Sequence, residues 1–169
     1  MLIAYLITEK FMKTIKSLLL GLLVLAGTLG ASSAFAQWTV GGSSSGTSII
    51  GAGPTNLSYL GASFPCTSTF TVVDTAGSAK VTAASFTGSA VCTSIKANNL
   101  PWQISAPVGS GPWTGTVMGV NVTAAGVFNC SGNASISVTK PGGAVTLSGS
   151  LGVCAISSGS LPSSPVVQG

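Results

Sequence analysis

Between Gln37 and Gly169 the residues best equipped for chemistry are Asp74, Lys80, Lys96, Lys140 and four cysteines. The stretch contains no His, Arg or Glu. General acid–base catalysis needs donors and acceptors set against one another, and one carboxylate with three ammonium groups gives few such combinations. Asp74 opens the run Asp74-Thr75-Ala76-Gly77-Ser78, which reads as a turn where Asp bonds to nearby amides. The many serines need an activating base to become nucleophiles, and only lysine is at hand. The sequence therefore assigns no catalytic residue, and we read the protein as a non-enzyme that works through its surface. Cys66, Cys92, Cys130 and Cys154 lack His partners and any Cys-x-x-Cys spacing. No metal site and no cofactor are expected from such a set.

The first 36 residues read as an export signal. Lys13 and Lys16 form a basic region, Leu18 to Gly27 an apolar core, and Ala34-Phe35-Ala36 a small-x-small cleavage site. Met12 reads as the natural start and Ala36 as the last residue removed. The apolar run is shorter than the roughly 20 residues of a membrane span, so no span is expected after cleavage. The product is read as secreted or held at the cell surface, beyond the inner membrane. Its three lysines and one aspartate are scattered, which gives no nucleic-acid surface. In an oxidising compartment an even cysteine count reads as two disulfides.

The cysteines bound two similar units. Cys66-Thr67-Ser68-Thr69-Phe70-Thr71-Val72 runs to a turn and returns through Phe86-Thr87-Gly88-Ser89 to Cys92. Cys130 leads through Ala134, Ile136 and Val138 to Lys140-Pro141-Gly142-Gly143, and the return carries Leu147-Ser148-Gly149-Ser150 to Cys154. In each unit the apolar residues share parity with the first Cys, and so share its face of a strand. Each unit reads as a β-hairpin with its open ends joined, by Cys66–Cys92 and Cys130–Cys154. One extra residue before Cys154 reads as a bulge. Leu100, Trp102 and Ile104 alternate with Pro101, Gln103 and Ser105, and Thr116, Met118, Val120 and Val122 with Val117, Gly119 and Asn121, around a Pro107–Pro112 loop. The fold class is all-β: a disulfide-stapled sandwich or partly open barrel built from hairpins, following a cleaved signal helix. Its divisions are a 37–53 arm, a 54–156 β domain and a loose 157–169 tail. The arm holds a short strand at Gln37–Val40 and a flexible Gly41–Gly46 stretch.

The export signal, the Cys-bounded units and the run Asn99-Leu100-Pro101-Trp102 resemble the bacterial protein activators of alkane oxidation, the PraB-like family. The resemblance covers the chain from about Pro54 to Cys154. It implies a secreted protein that promotes hydrocarbon use, by apolar contact or dispersion, and it implies no defined catalytic residues. Low charge suits adsorption to a hydrocarbon or lipid surface, because little desolvation opposes it. Trp113 and Trp102, each preceded by proline, are the candidate apolar contacts; core packing is the rival reading for both, and the alternation around Trp102 favours it there. Two other readings use the same residues. Self-association through the Gln37–Val40 strand would make a fibre or matrix subunit, and exposed tryptophans would make a carbohydrate-binding module. Intact-mass analysis of exported protein should give a chain beginning at Gln37; retention of residues 18–30 would overturn the cleavage reading.

Overall fold

The computed structural model describes residues 36–169 except Ala125 and Gly142. The expected signal helix lies outside the described residues. Strands β2 (Gly46–Tyr59), β3 (Ala62–Thr75) and β4 (Ser78–Gly88) form a meander. A short helix α1 (Ala90–Ser94) and strand β5 (Ile95–Ala97) follow. The meander resumes with β6 (Trp102–Ile104), β7 (Trp113–Ala124), β8 (Phe128–Val138), β9 (Val145–Leu151) and β10 (Cys154–Ser158). Neighbours are antiparallel throughout, and β10 pairs with β2 from Cys154↔Tyr59 to Ser158↔Thr55. That last pairing closes an eight-stranded barrel. Three register shifts, at Ile50/Gly53, Thr71/Val72 and Val117/Val120, supply bends of the kind closure requires.

Alternation builds the wall. Phe70 and Val72 on β3, and Ala134, Ile136 and Val138 on β8, are buried on the cysteine face as their parity requires. The run 116–122 differs from simple alternation. The shift at Val117/Val120 leaves Met118 and Gly119 outside and brings Val117 into the core with Val120 and Val122.

Both disulfides pair as expected, with Cα separations of 5.6 Å for Cys66–Cys92 and 5.7 Å for Cys130–Cys154. Neither joins the two strands of one hairpin, however. Cys92 lies on α1, beyond β4, and Cys154 opens β10, beyond β9. The extra residue before Cys154 is no bulge, since Gly152 and Val153 form the β9–β10 turn. Helix α1, unexpected from the sequence, is capped by Ser89, whose Oγ accepts from the Cys92 amide at 3.3 Å.

The terminal segments are structural, not loose. Strand β1 (Thr39–Val40) pairs with β12 (Val167–Gln168). Trp38, 1% exposed, packs beside Gly115, where a Cβ would come within 2.9 Å of its ring. Its Nε1 donates to the Ser105 carbonyl at 2.6 Å. Gly41 to Gly46 is also engaged: the Gly77 amide donates to Ser44 O, and β2 begins at Gly46. Where β10 ends, residues 159–164 continue the wall between β9 and β2. Leu161 bridges Val145, and β11 (Ser163–Ser164) pairs with Ile50 and Ile49. Leu161 is fully buried. Leu161→Ala should therefore cost about 2–5 kcal/mol in urea unfolding; a loss near zero would show that the tail is dispensable.

Candidate functional site

The barrel interior is the first place a ligand would be sought. Its lining is apolar, including Ile50, Phe70, Val81, Trp102, Val120 and Ile136. Two voids inside hold about 30 Å³ and 20 Å³. Ligand pockets usually measure about 300–1,000 Å³, and both voids fall about tenfold below that range. Side chains fill the interior, as eight-stranded barrels allow. Buried hydroxyls within the fold are satisfied: Ser48 donates to Pro165 O at 2.6 Å, and Thr55 and Ser68 share a 2.5 Å bond.

The expected contact residues Trp102 and Trp113 are not on the surface. Trp102 is 3% exposed and donates from Nε1 to Asn98 O at 2.8 Å. Trp113 is 7% exposed, with Lys140 Nζ 5.6 Å from its ring centroid. For Trp102 the burial agrees with its alternation between Leu100 and Ile104; for Trp113 the proline beside the ring misleads, because β7 turns the ring inward. Both rings contribute core packing, and they offer neither an oil contact nor a sugar-stacking platform.

Asp74 departs from its turn assignment as well. It is the last inward residue of β3, 2% exposed, and the tight turn is Ala76-Gly77. Neither carboxylate oxygen has a hydrogen-bond partner among the described residues. Burial raises its pKa above the ordinary 3.8, while the nearby backbone of Thr75 and Gly77 pulls more weakly the other way. No cluster of three or more potential metal ligands occurs among the described residues.

The outer wall is rich in hydroxyls. Thr114, Ser137 and Thr146 lie in register across β7, β8 and β9, and Thr116, Ser135 and Ser148 form the next row. They line a shallow groove of about 340 Å³ with Ser105 and Val108. Several large aliphatics are nonetheless exposed: Leu60 at 75%, Val108 at 68%, Val153 at 63% and Val127 at 37%. Leu60, Val127 and Val153 each sit beside a glycine in a hairpin turn, as Leu60-Gly61, Gly126-Val127 and Gly152-Val153. Turns favour Asn, Asp or Ser there, so an aliphatic next to a turn glycine was the sequence signal for these positions. Leu60 has φ +48° and Gly61 φ +84°. A two-residue turn of this kind favours Asn-Gly. Leucine in the left-handed region costs about 1–2 kcal/mol, and here it gains little packing in return.

A family model for the alkane oxidation protein activators of the PraA/PraB-like type matches residues 12–168. The chain belongs to the PraA/PraB-like family. The match reaches well beyond the Pro54–Cys154 region that carries the resemblance in the sequence, and it includes the arm and nearly all of the tail. No curated protein and no solved structure matches the chain. Among the described residues, the buried Asp74 carboxyl without a side-chain partner builds in a pH dependence. A carboxyl with a raised pKa binds its proton more tightly in the folded state. That contribution to stability is complete below the unfolded pKa and lost as pH rises through the folded one. Asp74→Asn should accordingly raise Tm at about pH 7, with the gain vanishing by about pH 3. An equal gain at both pH values would show that ionisation is not its cause.

Proposed function

We propose that the mature protein is exported, performs no chemical turnover and promotes hydrocarbon use by adsorbing to insoluble hydrocarbon. The observation that carries this reading is the pairing of a filled interior with exposed aliphatic side chains, in a member of the alkane-oxidation activator family. A barrel whose interior keeps only small voids is placed to meet a hydrocarbon from outside. Apolar contact supplies about 25 cal/mol per Å² removed from water, and hydroxyl-bearing strands keep the rest of the wall wet. Charge contributes little, because Lys80, Lys96 and Lys140 are scattered and Asp74 is buried.

The fibre-subunit reading gains less from the structure. Its proposed donor strand, Gln37–Val40, is engaged by β12 of its own chain, and closure leaves the long strands paired. Partition of purified mature protein onto hexadecane droplets tests the adsorption reading. The bound fraction should change less than about twofold between about 0.05 and 1 M salt. A steep fall with salt, or no adsorption at all, would sink it.

A further inference from the structure

The antiparallel meander sorts its connections to two ends. One end carries the β2–β3, β7–β8 and β9–β10 turns, helix α1 and both disulfides. The other carries the paired termini, Asp74, Lys140 and the 105–112 loop. The pairing Cys154↔Tyr59 sets Val153 and Leu60 at adjacent turns. The Tyr59 and Phe128 rings, 6.0 Å apart, bring the Val127 turn to the same end. Phe64 packs 5.9 Å from Phe128, so partly buried rings lie beneath the three aliphatic tips.

We propose that this disulfide-bearing end is the face that enters the hydrocarbon phase, through Leu60, Val127 and Val153. The inference rests on the adsorption reading and names its contact surface. Four observations converge on it. All three turns place an aliphatic where turn chemistry favours a polar residue. One of them holds leucine in a backbone conformation that disfavours it, and strain kept at an exposed site points to function. The matching two-residue turn at the far end, Ala76-Gly77, carries only a methyl group. The exposed aliphatics towards that far end are Val108, on a Gly/Pro loop near Lys140, and Ile49, 42% exposed on the wall of β2; neither sits in a two-residue hairpin turn, and scattered exposure of this kind is ordinary.

Charge agrees with this choice. Among the described residues the only charged side chain near the disulfide end is Lys96 on β5, whose long stem can keep its ammonium in water. No carboxylate has to leave water there. Tyr59 is suited to a boundary, with an apolar ring and a polar tip. The staples fit the same picture. Cys154 directly follows Val153, and Cys130 lies two residues beyond Phe128. Contact with oil tends to pull apolar cores open, and crosslinks at the contacting end resist that opening. Convex turn tips also suit a broad liquid boundary better than a partner that must enclose them.

The experiment compares hexadecane adsorption of three proteins: wild type, the triple variant Leu60→Asn/Val127→Ser/Val153→Ser, and the control Val108→Ser/Met118→Ser. The triple variant should adsorb at least about tenfold more weakly, and the control within about twofold of wild type. Leu60→Asn alone should raise Tm while weakening adsorption, a pair of opposite effects that a structural role for Leu60 would not produce. In a Val153→Trp protein, emission should shift to the blue on droplets, whereas Val108→Trp emission should not. Equal adsorption by wild type and the triple variant would remove this face and leave the adsorption reading standing. An equal loss in the control, or stronger binding to phosphatidylcholine vesicles than to hexadecane, would also overturn the proposal. Failure of wild type to adsorb would remove both.

Discussion

Closure of an eight-stranded wall on itself is the constraint from which the other features follow. An eight-stranded barrel is just wide enough for side chains to fill, and here the inward positions carry packed apolar side chains around two small voids. Trp102, Phe70 and Ile136 occupy the middle, and Trp38 enters from the arm against Gly115. Closure also removes the open sheet edges that would otherwise recruit other chains. The register shifts provide bends, and one of them resets parity along β7 so that Val117, Val120 and Val122 all point inward.

The wall does not close by the long strands alone. β10 is short, and below it the gap between β9 and β2 is spanned by residues 159–164. Gly53 on β2 leaves the space that Leu161 fills. The same terminus then turns to pair with β1, so the first and last described strands finish one end of the barrel together. Packing at this end is tight, and it encloses Asp74 without a partner. The two ends of the molecule therefore differ in kind: one is knitted by the termini, the other pinned by disulfides and tipped with aliphatics.

A filled barrel has consequences for its chemistry. Hydrophobic burial stabilises the fold but uses up the tryptophans, which leaves interaction to whatever the turns and outer faces display. Those faces are mostly Ser and Thr, with few charges to give long-range attraction. Recognition by such a surface rests on short-range contact, and the exposed aliphatics are where short-range apolar contact is available.

Alternation, turn residues, cysteine parity and the near-absence of charge are local properties, and the sequence by itself determined what they control. They establish the all-β class, the hairpin units, the disulfide pairing and the family resemblance that the match over residues 12–168 bears out. Proline next to Trp102 and Trp113 is equally local, yet it says nothing about which face a strand turns to the core, and both rings proved buried. Sandwich or barrel, the parity change at Met118-Gly119, the burial of Asp74 and the docking of the 157–169 segment were decided only by tertiary structure. Each depends on pairing between distant segments, such as Cys154 with Tyr59 or Val40 with Val167. The gathering of Leu60, Val127 and Val153 at one end has the same origin. Each turn is visible in the sequence, but only strand order and closure place the three together.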